Sequence, residues 1–300
     1  CFLPITRRRA ANAVQDSMDI ELIRGMALEP IEQAYDKRDT ILYALGLGYG
    51  ADPLDEHELP FVYEGALRSN PSYVNLLCHP GFWAQNPKYR IDWVKILHAE
   101  QDFTLHAPLP ATGTMRGRFR VAGIEDKGEG RGALLHQEKT IEDAESGTKI
   151  ATVRSTLFLR GNGGEGGFGD KMPAAAPLPD RAPDRVVELA TLPRQALIYR
   201  LSGDWNPLHA DPAIARKAGF SMPILHGLCS NGMACRAILA SYCNHDPARL
   251  RQMFVRFSKP VFPGEIIRYE FFESDHGLQF RAVAAGRNEI VLDRCSAFMT

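Results

Sequence analysis

The chain has 300 residues, of which 45% are hydrophobic and 24% are charged, and its formal net charge is −1 at pH 7. This length fits one large domain or two of ordinary size. A nearly neutral chain gives no electrostatic reason to expect binding to nucleic acid or to a membrane surface. No apolar run reaches the roughly 18 residues that a transmembrane helix needs, so no membrane span is predicted.

The six cysteines are scattered, and no pair has the C-x-x-C spacing that is typical of zinc and redox sites. This pattern argues against a metal site and a disulfide framework, and it indicates a reducing compartment. An arginine run at 7–9 is either the end of a targeting segment or a solvated charged stretch, and we favour the second. The last residues lack a peroxisomal address of the S-K-L type, so we expect a cytoplasmic protein.

In the first half, alternating apolar and polar residues predict strands over 116–124, 133–141 and 150–160, separated by glycine turns. A long helix is predicted to precede them, beginning near Glu64. Strands joined by short turns pair as an antiparallel meander. The first half therefore predicts one helix packed against an antiparallel sheet.

The segment 161–183, rich in Gly, Pro and Ala, is predicted to be a linker. Residues 161–166 fit the G-x-G-x-x-G pattern of dinucleotide-binding loops and follow a predicted strand. Such a loop must open a helix, whereas Pro173, Pro177 and Pro179 follow here. We therefore do not predict a nucleotide site.

The second half repeats the same order, with a helix predicted over 227–242 and strands over 266–273, 278–285 and 289–299. Three short segments recur at a spacing of roughly 155–160 residues, the length of a small domain. They pair 41–46 with 197–202, 63–65 with 225–227, and 106–113 with 258–264. We predict a duplicated domain over 1–160 and 184–300.

A polar trio distinguishes the second half from the first. When Tyr43 is aligned with Tyr199 and the chain is counted forward without gaps, Gly48, Gly50 and Pro53 face the three polar residues Asp204, Asn206 and His209. Residues needed only for folding should more often be kept in both copies. The contrast predicts a single active site, in the second half.

These residue types suit the addition of water to a double bond conjugated to a carbonyl. Neutral imidazole has a pKa near 6.5, so His209 can act as a base or relay, and Asp204 can share the proton. Asn206 can hold the water. The N–H of Gly227, at the start of a helix, can stabilise the developing oxyanion. The alternative is that Asp204 and Asn206 only form a turn and a helix cap.

The stretch 199–209 with 223–227 resembles the hydratase 2 motif of (R)-specific 2-enoyl-CoA hydratases, in the MaoC-like hot-dog family, and similar segments extend over nearly the whole chain. The resemblance implies an α+β double hot-dog fold, with two curved antiparallel sheets, each around a central helix. It implies the catalytic roles given above to Asp204, Asn206, His209 and Gly227. It implies contacts with the substrate at His98, Ala99, Lys127, Asp204, Trp205, Asn206, Pro207, Leu208, His209, Gly227 and Phe257. For Glu64, catalysis and a helix-terminal role both stay open.

The expected reaction is the reversible hydration of trans-2-enoyl-CoA to (3R)-3-hydroxyacyl-CoA, with no cofactor and no metal, because CoA is part of the substrate. We expect a homodimer, in the cytoplasm, or in peroxisomes if the chain belongs to a larger multifunctional enzyme. The first half is expected to accommodate the acyl tail, with Gly46, Gly48 and Gly50 leaving room for it. Three alternatives are a dehydratase acting on acyl carrier protein, a hot-dog thioesterase and a subunit that only binds.

Overall fold

The computed structural model describes residues 17–169, 172, 174–275 and 277–300; the arginine run at 7–9 lies outside them. In this part of the chain the helices are α1 (Ile20–Arg24), α2 (Lys37–Gly46), α3 (Leu59–Val62), α4 (Gln195–Tyr199), α5 (Pro212–Lys217) and α6 (Gly227–Tyr242). The strands are β1 (Ile31–Tyr35), β2 (Ile96–Leu105), β3 (Gly113–Asp126), β4 (Ala133–Asp143), β5 (Lys149–Leu159), β6 (Arg185–Ala190), β7 (Leu250–Arg256), β8 (Ile266–Ser274), β9 (Gly277–Ala284) and β10 (Glu289–Met299). None of these helices combines the length and the apolar character that crossing a bilayer requires.

The strands form one antiparallel sheet in the order β1-β3-β4-β5-β2-β7-β10-β9-β8-β6. This order is a mirror image about the β2–β7 junction, with five strands from each half. All six predicted strands form, and their duplication is visible as this symmetry. The two halves share one continuous sheet, because β2 pairs with β7 from Glu100 opposite Arg256 to Thr104 opposite Gln252.

Helix α6 spans the residues predicted for it and is buried along most of its length. Its small residues allow close approach: a Cβ atom added to Gly232 would lie 2.4 Å from Cδ2 of Leu47. On another side, the hydroxyl of Tyr269 donates to the carbonyl of Ser230 over 3.3 Å. The helix therefore packs against both the first half and the sheet of the second half.

The long helix predicted to begin near Glu64 does not form, and this prediction is wrong. Two short 3₁₀ helices, Glu64–Ala66 and Pro71–Asn75, stand in its place. Pro71 has no N–H and disfavours a helical conformation in the residue before it, so a helix cannot run through this point. Asn70 instead caps the second turn, accepting the N–H of Ser72 over 2.9 Å.

The glycine-rich loop folds back on the first half as a capped turn. The N–H groups of Gly164 and Gly166 donate to the carboxylate of Asp126 over 2.8 and 2.9 Å. Phe168 forms an isolated bridge with Ile124 of β3. The backbone donors that a phosphate would need are thus already bound to a carboxylate.

Gly46 ends α2, and Gly48 and Gly50 follow it. A Cβ atom added to any of the three would meet protein atoms within 4 Å, contrary to the expectation that they leave room for an acyl tail. A Cβ atom on Gly46 would lie 3.1 Å from Cα of Tyr199, so this glycine permits α2 to pack on α4. Gly48 and Gly50 have φ of +82° and +74°, where glycine is strongly favoured. They are close-packing and turn positions.

Candidate active site

The polar trio lies on a turn that follows α4. A 3₁₀ turn ends at Gly203, whose φ of 127° lets the chain reverse direction. Asp204 is then half-buried, and Asn206 is exposed. The side chain of Asn206 caps the next 3₁₀ turn, accepting the N–H of Leu208 over 3.0 Å. This turn carries His209 inward, where only 9% of it remains exposed.

Two buried histidines stack beside Asp204. The ring centroids of His209 and His226 are 3.8 Å apart, and the ring planes meet at 29°. His209 Nδ1 lies 2.8 Å from the carbonyl of Ile224, and His226 Nε2 lies 3.2 Å from the carbonyl of Asp204. A carbonyl only accepts, so each of these nitrogens carries the hydrogen. The tautomers that follow leave a lone pair on Nε2 of His209.

Electrostatics keeps both rings neutral near pH 7. Burial lowers the pKa of His209, while its bond to Ile224 and the charge of Asp204 oppose the shift. Burial and the neighbouring His209 lower the pKa of His226 to about 4. A neutral His209 can accept a proton from water, which a protonated imidazole cannot do.

Asp204, His209 and His226 each offer one ligand atom, and these atoms all lie within 4.8 Å of one another. Three such groups could hold a metal ion only if their lone pairs converged at about 2.0–2.2 Å from it. The two rings stack with their planes at 29°, and a backbone carbonyl binds one nitrogen of each. Since a carboxylate beside a neutral imidazole also suits proton transfer, the geometry favours an acid–base site.

Gly227 begins α6 next to these rings. Its N–H has no acceptor among the described residues, as expected for the first turn of a helix. A Cβ atom on Gly227 would lie 3.1 Å from Cε1 of Phe257, so a larger residue would close the space beside this N–H. The helix dipole adds positive potential at the same place. The site thus brings an unpaired helix N–H next to the two stacked, neutral imidazoles.

The first half supplies one wall. The ring of His98 lies 4.8 Å from that of Phe257, and the carbonyl of Ala99 accepts the N–H of Phe257 over 2.9 Å. Ala99 lies at an irregularity in the pairing of β2 with β5. Burial lowers the pKa of His98, while its hydrogen bonds to Gln101 and Glu100 oppose the shift. His98 of the first half and Phe257 of the second therefore meet at the junction between the two halves.

Comparison with known proteins gives two family matches in succession: the MFE-2 hydratase 2 N-terminal domain at residues 33–161 and the MaoC like domain at residues 174–291. The 3-hydroxyacyl-thioester dehydratase Y of Mycobacterium tuberculosis is 41% identical over 279 residues, which is 90% of this chain and 94% of that protein. The chain belongs to the MaoC-like hydratase 2 family. Within it, the peroxisomal enoyl-CoA hydratase 2 of Arabidopsis thaliana is 34% identical, covering 93% of this chain and 96% of its own.

Solved structures confirm the fold of this MaoC-like chain. A MaoC-like dehydratase from Phytophthora capsici has a TM-score of 0.82 and 35% identity, covering 94% of this chain and 99% of its own. A Mycobacterium tuberculosis protein described as having a double hot-dog fold has a TM-score of 0.53 at 15% identity, covering 92% of this chain and 97% of its own. The predicted double hot-dog class is confirmed, with the two sheets joined and one central helix replaced by short turns.

Among the remaining predicted residues, Glu64, Trp205 and Pro207 are exposed, and Lys127 is half-buried. Trp205 is 57% exposed, and the Arg200 guanidinium carbon lies 4.7 Å from the centre of its ring. Lys127 forms an ion pair with Glu125 over 2.6 Å, in the turn between β3 and β4. Glu64 is exposed, and no hydrogen bond or ion pair joins it to the site among the described residues. Pro207 and Leu208 form the 3₁₀ turn that carries His209.

The predicted catalytic set does not include His226, which contacts both His209 and Asp204. Its ring stacks on His209, and its N–H holds the backbone of Asp204. The sequence signal was its place directly before Gly227, at the start of α6. Its two contacts join it to His209 and Asp204, which lie 17 and 22 positions away in the sequence, and local sequence patterns do not reveal such contacts.

Proposed function

We propose that the protein catalyses the reversible hydration of trans-2-enoyl-CoA to (3R)-3-hydroxyacyl-CoA, at one site in its second half. The observation that carries this proposal is the tautomer of His209. Its Nδ1–H is bound by Ile224, so the lone pair of Nε2 is available next to Asp204. A base placed beside the unpaired N–H of Gly227 fits an attack by water on C3 of an enoyl thioester.

The proposed steps balance without another reactant. A water molecule binds between Asp204, His209 and the amide Nδ2 of Asn206. Its oxygen attacks C3 while its proton passes to the Asp204–His209 pair. The negative charge moves to the thioester oxygen, where the N–H of Gly227 stabilises it. The same pair then delivers the proton to C2, and the reverse sequence dehydrates the hydroxyacyl thioester.

The stereochemistry and the surroundings of the reaction belong to the same proposal. One site delivers water to one face of the double bond, and the family resemblance points to the (3R) product. No metal, nucleotide or redox cofactor enters these steps. We also propose a homodimer, and a cytoplasmic location, although several of the similar proteins are named as peroxisomal.

Crotonyl-CoA distinguishes this activity from its alternatives. We expect loss of the enoyl-thioester absorbance up to an equilibrium that is also reached from (3R)-3-hydroxybutyryl-CoA. Release of free CoA thiol, followed with a thiol reagent, would instead indicate a thioesterase. Turnover of the acyl-carrier-protein thioester without turnover of the CoA thioester would indicate a carrier-protein dehydratase. No change with any of these substrates would leave a subunit that only binds.

A further inference from the structure

A chain of hydrogen-bonded side chains crosses the core from β2 to α6. Nε2 of His98 lies 3.1 Å from the carbonyl of Glu100 and 3.0 Å from Oε1 of Gln101. Nε2 of Gln101 donates to Oδ1 of Asn75 over 2.9 Å. Nδ2 of Asn75 donates to Oδ1 of Asn231 over 3.0 Å. Polar groups thus occupy a path between the two halves that is otherwise packed with apolar side chains.

The donor and acceptor roles along this series of hydrogen bonds follow from His98, its first member. The carbonyl of Glu100 only accepts, so Nε2 of His98 carries a hydrogen, and Oε1 of Gln101 must accept as well. The NH₂ group of Gln101 then faces Asn75, and the NH₂ group of Asn75 faces Asn231. The nitrogen and oxygen of each amide are therefore assigned by the network. Nδ2 of Asn231 is the last donor in the chain.

That last donor has no acceptor. Asn231 is 0% exposed, and its Nδ2 makes no hydrogen bond within the part of the chain that the structure describes. Leaving a buried N–H unpaired costs about 1–3 kcal/mol. The cost disappears when an oxygen atom from outside the protein accepts this hydrogen.

The unpaired donor lies one helical turn beyond the proposed oxyanion donor. Asn231 follows Gly227 by four residues, so both lie on one face of α6, about 6 Å apart along the axis. Phe257 lies against Gly227 and against the ring of His98, where the chain begins. Phe257 therefore connects the start of the polar chain with the first turn of α6.

This inference rests on the proposed function, in which the thioester oxygen binds at the N–H of Gly227. CoA is too large to be buried, so its sulfur leads to the surface and the acyl chain leads inward. Gly227 is half-buried and the next turn of α6 is buried, so inward means along α6 toward Asn231. A distance of about 6 Å corresponds to roughly four to five bonds of an extended chain.

We propose that Asn231 binds an oxygen atom in the acyl chain, so that the preferred substrates are enoyl thioesters with an ether, hydroxyl or carbonyl oxygen near C5 or C6. An all-carbon chain leaves Nδ2 of Asn231 unpaired, whereas an oxygen at this position completes the hydrogen-bonded chain from His98. Asn231 is a specificity-determining residue in this proposal, and it takes no part in proton transfer.

The test compares trans-2-decenoyl-CoA with two analogues that have an ether oxygen at position 6 or at position 9. We expect the wild-type protein to give the highest kcat/KM with the 6-oxa chain. Asn231→Leu should reduce the preference for 6-oxa over decenoyl roughly three- to tenfold, the value of one net hydrogen bond. Any effect of the ether on the reactivity of the double bond cancels in this ratio.

Asn75→Leu is the matched control, because it makes the same change one link earlier and keeps the amide of Asn231. It should keep most of the preference. Equal kcat/KM for all three chains with the wild-type protein would overturn the proposal without any variant, and would indicate that Asn231 binds only water. A 9-oxa chain as good as the 6-oxa chain would overturn it too. Failure to hydrate even crotonyl-CoA would instead overturn the proposed function.

Discussion

The two halves of the molecule form different turns after their aligned helices, α2 and α4. After α2, Gly48 and Gly50 turn the chain, and the N–H of Gly50 donates to Glu58 over 2.9 Å. After α4, the corresponding positions hold Asp204 and Asn206, and the chain goes on to a buried His209. The two turns also differ in backbone conformation, since Asn206 has a φ of −54° where Gly50 has +74°. The polar trio therefore belongs to a turn that the first half does not share.

The central segments differ in the same way. The second half has the 16-residue α6, which starts with the unpaired N–H of Gly227. The first half has short 3₁₀ turns, whose Asn75 contributes to a polar wall against α6. One copy thus presents the proposed reacting groups, and the other contacts the helix that carries them. The symmetry of the sheet holds the two parts in register.

The largest effect is expected from removing the base. His209→Ala should lower kcat/KM for crotonyl-CoA about 10²–10⁴-fold, as for other general acid–base residues, and Asp204→Ala should do the same. Circular dichroism should show an intact fold. The matched control is Pro53→Ala, since Pro53 is the exposed first-half counterpart of His209. Near wild-type turnover by either second-half variant would end the assignment of the site.

A large loss of stability is expected from breaking the ion pair that joins the first half to α6. Nε of Arg236 lies 2.5 Å from Oε1 of Glu58, and both side chains are nearly buried. Arg236→Met leaves the Glu58 charge buried and unpaired, so urea unfolding should show a loss of about 3–5 kcal/mol. Arg24→Met, which removes the exposed pair with Glu21, should cost less than about 1 kcal/mol. Similar losses for the two variants would contradict this role.

A pH-dependent effect distinguishes the two halves of the sheet. Lys139 is buried on β4, donates to the carbonyls of Asn75 and Leu77, and has its pKa lowered to about 8 by burial. The unfolded chain, with a lysine pKa of about 10.4, binds more protons above pH 8, so this residue makes stability rise with pH. The inward residues of β9 in the other half are apolar.

The measurement is the difference in unfolding free energy between the wild-type protein and Lys139→Met, because buried thiols and tyrosines also titrate at high pH. Relative to the variant, the wild type should gain about 2 kcal/mol between pH 7 and pH 9.5. Ala282→Met on β9 alters the packing of the sheet without involving a titrating group. The unfolding free energy of this variant should therefore differ from that of the wild type by the same amount at every pH. If the difference in unfolding free energy between the wild type and Lys139→Met did not change with pH, the pKa of Lys139 would be that of an ordinary lysine, and the prediction would be wrong.

A smaller effect is expected at Asn206. Its Oδ1 caps the turn of His209, so only Nδ2 is left for water. Asn206→Ala should lower kcat/KM about fivefold, because one hydrogen bond to the water is worth about 1 kcal/mol, and the lost cap should also cost about 1 kcal/mol of stability. Asn206→Ser keeps a capping oxygen and should restore stability without restoring activity. If serine restores both stability and activity, the side chain of Asn206 serves only as a cap.

The strands and α6 were predictable because their signals are local: alternation sets the strand faces, and small residues mark a helix that is closely packed. The first-half helix was mispredicted because Pro71 outweighs its apolar neighbours, and the duplication encouraged an analogy with α6. The trio was predictable because Asp204 and His209 are close in sequence.

The rest of the site depends on contacts between distant residues. His226 is hydrogen-bonded to Asp204, which lies 22 positions away in the sequence, and Asn75 is hydrogen-bonded to Asn231, which lies 156 positions away. Nothing in either local sequence marks such a pair. Lys139 shares the inward face of β4 with Leu135 and Ile141, so alternation alone would place it in the core, but the two carbonyls that hold it come from another segment.

The most direct test of the central claim is the configuration of the product. The wild-type protein should convert crotonyl-CoA to (3R)-3-hydroxybutyryl-CoA. A dehydrogenase specific for (3S)-hydroxyacyl-CoA should then form almost no NADH from the product, whereas a (3R)-specific one should consume it. A mainly (3S) product, or no hydration by a folded protein, would contradict a single (R)-specific site built on Asp204, His209 and Gly227.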